Sequence, residues 1–187
     1  MSAPRRRGRA GLLGRWLPPP PLRPPGALPD EAAFAARCVR CGRCIEVCPY
    51  RSLRPSGPRL GLEAGTPIVE AREAPCYLCM RCPPACPTGA LEPLREARRV
   101  RMGLAVVDPA RCYAHLGVVC RSCIDACPLG ADAIRQDDDL RPVVTDGCAG
   151  CGVCEFRCPA QGSAIHVRPE ADVDRASAPR SRPEGSP

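Results

Sequence analysis

The sixteen cysteines of this 187-residue chain stand in four groups of four. Three groups share one spacing: Cys38-x2-Cys41-x2-Cys44-x3-Cys48-Pro49, Cys76-x2-Cys79-x2-Cys82-x3-Cys86-Pro87 and Cys148-x2-Cys151-x2-Cys154-x3-Cys158-Pro159. The remaining group, Cys112-x7-Cys120-x2-Cys123-x3-Cys127-Pro128, keeps the end of the pattern and stretches its first gap. Thiolates at every third residue suit iron–sulfur chemistry. Two intervening residues let the backbone wrap around a cube and aim successive sulfurs at neighbouring irons, while backbone N–H groups turn toward the cube's sulfides. In such runs three close thiolates hold three corners of a [4Fe–4S] cube, and the fourth reaches across to a second cube. Four runs predict four clusters, with all sixteen cysteines as iron ligands. The chemistry that follows is the movement of single electrons.

Other uses of cysteine fit less well. An even count suits a disulfide framework, but disulfides do not require a thiol every third residue four times over. Structural zinc takes two separated C-x2-C pairs per tetrahedral site, not three crowded cysteines with a distant fourth. Each last cysteine is followed by proline, whose missing N–H and fixed φ suit the start of a short helix just beyond it.

Something must position these loops in a chain with little core material. Aromatic residues make up 3% of the sequence, so buried clusters are expected to serve as the core and to cross-link it, and folding should depend on their insertion. The fold class expected is α+β: small, cluster-stabilised tandem units of the bacterial 2[4Fe–4S] ferredoxin type, with disordered termini. The Arg/Pro-rich residues 1–29 and the tail 169–187 are read as disordered. Between them, a domain over 30–168 repeats a module four times, at about 30–60, 66–95, 103–136 and 141–168. Strands are predicted at Thr66-Pro-Ile-Val-Glu, Gly103-Leu-Ala-Val-Val-Asp and Arg141-Pro-Val-Val-Thr-Asp, with return strands after each Cys-Pro. The first module lacks a leading strand. A helix capped by Asp30 is predicted there instead.

Two ferredoxin-like units need two pairs of modules. Sequential pairing joins one with two and three with four; nested pairing joins one with four and two with three. Modules one and four share Cys-Gly-x-Cys (Cys41-Gly42-Arg43-Cys44 and Cys151-Gly152-Val153-Cys154), which favours nesting. Cys48 would then complete the set of Cys148, Cys151 and Cys154, and Cys158 that of Cys38, Cys41 and Cys44. Cys86 would serve Cys112, Cys120 and Cys123, while Cys127 would serve Cys76, Cys79 and Cys82.

No catalytic constellation is present: no glycine-rich phosphate loop, no Ser/His/Asp-like set, no open metal site. The protein reads as an electron carrier without a catalytic site of its own. The formal charge of +7 would suit nucleic acid, but each oxidised cube with its four thiolates carries about −2, so four bring the total to roughly −1. Every Lys-or-Arg position is arginine, which points to composition bias rather than phosphate recognition. His115, in the stretched gap, is read as a loop residue because Cys112 completes that group. His166 is read as structural, Tyr50 as packing against a cube, and Asp137-Asp138-Asp139 as a solvated turn. No run reaches the roughly 18 apolar residues of a membrane span. Arg5-Arg6-Arg7 is similar to a twin-arginine signal, but Arg15 and Pro18–Pro21 interrupt the apolar stretch, leaving no convincing export signal.

Several phrases around the cysteines carry a more specific resemblance. Arg23-Pro-Pro-Gly-Ala-Leu-Pro-Asp, Gly65-Thr-Pro, Pro87-Thr-Gly-Ala-Leu, Arg101-Met-Gly-Leu-Ala-Val and the stretched Cys112-x7-Cys120 run resemble the NapG/MauM group over about residues 23 to 168. These are ferredoxin-type proteins encoded beside periplasmic nitrate reductase and methylamine-utilisation genes. The resemblance implies four [4Fe–4S] clusters and electron transfer from quinol to a terminal reductase, beside a membrane-bound iron–sulfur partner that oxidises quinol. It also implies membrane association on the periplasmic side, with the cytoplasm as the alternative. Two other functions remain open: an iron–sulfur subunit of a larger molybdopterin oxidoreductase, and a maturation factor for a redox enzyme.

Overall fold

The β-branched run at Gly103–Val107 forms strand β3, which pairs antiparallel with β6 (Ile165–Pro169), with Val107 opposite Ile165. This pairing closes the outer edge of one unit made from the third and fourth modules. Inside it, β4 (Ile134–Gln136) and β5 (Pro142–Val144) form a short antiparallel hairpin. The first two modules repeat the plan in reduced form. Strands β1 (Leu53–Pro55) and β2 (Pro67–Val69) make the inner pair, and a single bridge between Ala27 and Leu91 makes the outer one. Module one thus has a leading segment after all. Its prolines and glycine, Pro24-Pro25-Gly26, limit it to one bridge because proline offers no ladder donor. The computed structural model describes residues 20–173, 178 and 179.

Helix α1 (Glu31–Arg37) begins where the sequence predicts, with the Asp30 carboxylate accepting from the Ala33 N–H at 2.8 Å. It buries Phe34 completely. The other helices depart from expectation. Helix α2 (Arg43–Glu46), α3 (Ser122–Asp125) and α4 (Val153–Arg157), together with a 3-10 turn at Pro83–Ala85, lie before the Cys-Pro step rather than after it. Each carries the chain from the third cysteine of its group to the fourth. The reason is the proline ring, which pushes the preceding residue into extended backbone. Cys86 (ψ 113°) and Cys158 (ψ 122°) are so placed. Cys-Pro therefore stops a helix here, and among the described residues the expected helix beyond it forms only after Cys127-Pro128, as a 3-10 turn at Gly130–Asp132.

The expected N-terminal tail to residue 29 is also corrected. Leu22 to Pro25 are buried, and Arg23 fixes them there. Its guanidinium bonds Glu31 and Glu63 at 2.8 Å each and the Thr66 hydroxyl at 2.7 Å, and it lies 4.6 Å above the Phe34 ring. A buried cation with two carboxylates and a ring face is compensated on every side. At the other end, Glu170–Asp172 form a turn and the Pro179 carbonyl accepts from Asp146 N–H. The Arg5–Arg7 stretch lies outside the described residues, as do 1–19, 174–177 and 180–187.

The units share packing. One apolar cluster runs from Phe34, Leu53 and Val69 through Ala71 and Met102 to Ala149 and Val153. A second, around Leu104, Ile134 and Ile165, belongs to the second unit. Cysteines are members of both, so the thiol loops and the core are one structure. Among the described residues no helix is long and apolar enough to cross a membrane.

Candidate metal centres

Four hollows open beside the cysteine loops, and each is lined by four cysteines. Site I holds Cys38, Cys41, Cys44 and Cys86. Site II holds Cys48, Cys76, Cys79 and Cys82. Site III holds Cys112, Cys120, Cys123 and Cys158. Site IV holds Cys127, Cys148, Cys151 and Cys154. Their volumes are similar, about 410, 320, 370 and 360 Å³ in that order, which suits one kind of guest in all four.

The pairing is sequential, and the nested expectation is overturned. Cys48 joins module two, and Cys86 returns to module one; Cys127 joins module four, and Cys158 returns to module three. The shared Cys-Gly-x-Cys has a local cause. Gly42 and Gly152 cap α2 and α4 in the left-handed region, at φ 76° and 84°. Module two needs the same conformation and meets it with Met80, at φ 57°. Glycine there reports a backbone angle, not a partner module.

The helices explain the swap. Helix α2 leads from Cys44 in site I to Cys48 in site II, and the Pro83–Ala85 turn leads from Cys82 back to Cys86. In the second unit α3 and α4 pack together and make the same exchange. One turn of helix separates third and fourth cysteines, so the fourth always faces the neighbouring site.

Burial and neighbouring thiols, within each quartet and across to the next, set the electrostatics. Burial, with the neighbouring Cys38 and Cys41, pushes the Cys44 thiol up to about 11. Burial again, then Cys79 and Cys48, raises Cys76 to about 11. Cys123 is pushed to about 12 by burial and by thiols of its own quartet, and Cys151 to about 12 by burial, Cys148, Cys127 and Cys76 of site II. Cys82 and Cys154 are raised further by burial and by thiols of their own quartets together with one from a neighbouring site, Cys44 and Cys123 respectively. Cys86 goes the other way: burial would raise it, but the Leu91 N–H, the Thr88 hydroxyl and the Thr88 and Ala90 N–H groups outweigh that and lower it. Backbone N–H groups also point at sulfur from Ser52 to Cys48 (3.3 Å), Gly150 to Cys148 (3.4 Å) and Ala164 to Cys158 (3.3 Å). Such donors are what a thiolate bound to iron requires.

The donor set fits a cubane cluster better than a single ion. Among the described residues, no three of His, Cys, Asp or Glu stand close enough to hold one metal ion. The sulfurs ring a hollow instead of converging on a point, as a cube with irons at its corners needs. The sequence did not reveal the loop backbone: Arg40 and Leu78, just before second cysteines, take φ of 56° and 53°. Side chains in that region cost about 1–3 kcal/mol each and gather at functional sites.

The other residues singled out in the sequence lie in or around these loops. His115 is half-buried in its loop and lines none of the four hollows. His166 Nδ1 lies 3.2 Å from Glu155, whose other oxygen accepts from Val167 N–H. Tyr50 lines site II and packs on Tyr77 with ring centres 4.6 Å apart. Asp137 closes a turn by accepting from the N–H groups of Asp139 and Arg141.

Comparison with known proteins points to the same kind of centre. Family models described as 4Fe-4S dicluster domain match residues 37–90 and 104–159, each spanning one unit, and a third match at 75–131 overlaps both. The ferredoxin-type protein NapG of Escherichia coli is 42% identical over 163 residues, 79% of this chain and 70% of that protein. NapG of Haemophilus influenzae is 40% identical over 80% of this chain, which spans 59% of that protein's length. The methylamine utilization ferredoxin-type protein MauM of Methylorubrum extorquens is 42% identical over 79% of this chain and 72% of its own. With two dicluster domains and relatives of this similarity, the chain belongs to the NapG/MauM family of ferredoxin-type proteins, electron carriers built on [4Fe–4S] clusters.

Proposed function

We propose that the chain carries four [4Fe–4S] clusters, one in each of sites I to IV with the sixteen cysteines as ligands. In this reading it relays single electrons from a membrane-bound, quinol-oxidising iron–sulfur partner to a terminal reductase, without catalysis of its own. The observation that carries the count is the partition of the cysteines, four to each hollow with none left over. When bound, each cluster supplies a one-electron couple. The chain's own residues fix the sulfurs, exclude water and tune the site. Cys148, Cys151 and Cys154 are buried, whereas Cys41 and Cys79 are exposed, so sites I and II present faces from which a partner protein can exchange electrons.

The proposed location is the periplasmic face of a membrane. The family resemblance supports it. Thiols left empty outside the cytoplasm would oxidise, so export requires prior folding around the clusters. The test is a deletion strain. Quinol-linked electron flow to the terminal reductase should be lost, while the reductase keeps its activity with an artificial donor. A reductase left inactive and poor in its own cofactor would identify a maturation factor. Co-purification in fixed ratio with a molybdopterin chain would identify a subunit of a larger enzyme.

A further inference from the structure

The two units do not meet at random faces. Cys76 of site II donates its backbone N–H to the carbonyl of Cys151 of site IV, at 2.8 Å. Both residues belong to the apolar cluster that spans the units. Beside them Gly152 lies so close to Ala71 that a Cβ on Gly152 would stand 2.3 Å from the Ala71 Cβ. Arg72, next along, reaches the Gly162 carbonyl and clamps the same face. Within each unit, one turn of helix joins the sites: I to II through Arg43–Glu46, and III to IV through Ser122–Asp125 and Val153–Arg157.

We propose that the four sites form a single file in the order I–II–IV–III, with the Cys76–Cys151 peptide contact as the junction between units. The order differs from the sequence order of the cysteine groups, because the contact between the units runs from Cys76 of site II to Cys151 of site IV. Site IV is the enclosed member of the file, with three of its cysteines buried, and site III is its far end. An electron moving along the file oxidises one cluster by one electron and reduces its neighbour by one; no bond is made or broken. Reducing equivalents come from the proposed quinol-oxidising partner, or from dithionite in the test. Gly152 and Ala71 act as positioning residues, since their small size sets how near the two ligand loops lie. The proposal rests on the four-cluster reading above.

The test is electron paramagnetic resonance of the dithionite-reduced, fully loaded chain, with iron counted in every sample. Finding about sixteen iron per chain supports the four-cluster reading independently of the order. Cys79→Ala removes an inner site. It should leave about twelve iron, with one cluster giving a simple, unsplit signal beside an interacting pair. Cys120→Ala removes an end site, and its three remaining clusters should all show spin–spin interaction, with no isolated signal. An isolated signal after Cys120→Ala, or none after Cys79→Ala at that iron content, overturns the order. If Cys79→Ala loses more than one cluster, Ala71→Leu decides. It should keep all the iron and reduce the interaction between units while leaving that within each unit. Interaction unchanged from the parent chain would overturn the junction.

Discussion

At the scale of single residues, the sulfurs are controlled by what donates to them and what shields them. Thr88 illustrates the first. Its hydroxyl lies 3.6 Å from the Cys86 sulfur and helps to lower that thiol's pKa. Hydrogen bonds to ligand sulfur favour the reduced, more negative cluster. Thr88→Val should therefore lower the midpoint potential of one cluster in a redox titration while the iron content stays unchanged. An unshifted potential would show that the hydroxyl does not act on site I. Burial illustrates the second. In the cluster-free fold, thiols raised from 9.0 to about 11 or 12 favour the protonated state. That contribution is full below about pH 9 and fades as pH rises through the raised values. A loaded site holds thiolates instead, so protons compete with clusters. Lowering the pH from about 8 to about 6 should speed the loss of absorbance from the loaded protein. Faster loss on raising the pH over that range would contradict the sign.

The elements are short, and each has a local cause. Helix α1 depends on Asp30 at its start and Phe34 at its core face. Asp30→Ala should cost about 1 kcal/mol in chemical denaturation, and Phe34→Ala about 3–5 kcal/mol, since Phe34 is fully buried. Equal small losses for both would mean that Arg23 and its carboxylates hold the N-terminal segment without the ring. The cap and the β-branched strands were legible because each depends on residues adjacent in sequence. The division of the cysteines into groups was legible too, because their spacing encodes it. The pairing of modules was not, since one shared glycine can serve either a turn or a symmetry, and only the fold separates the two. Nor was the packing of residues 20–29, where a Pro/Arg-rich composition looks like a tail. Arg23 finds its partners at Glu63 and Thr66, some forty residues away. The swap itself can be tested by spectroscopy. Cys48→Ser and Cys76→Ser should perturb the same cluster signal, because both line site II, while Cys148→Ser perturbs another. Matching spectra for the Cys48 and Cys148 variants would restore the nested arrangement.

For the molecule as a whole, the proposed clusters would act as core, cross-link and counter-charge together. Four of them would turn a chain of formal charge +7 into one of roughly −1. The account's central claim is that all sixteen cysteines are spent on four [4Fe–4S] clusters, and analysis of the anaerobically purified chain tests it most directly. Metal and sulfide assays should find about sixteen iron and sixteen acid-labile sulfide per chain, and the chain should take up about four electrons from dithionite. Stoichiometric zinc with little iron, or iron near eight per chain in protein whose four sites are otherwise intact, would contradict it.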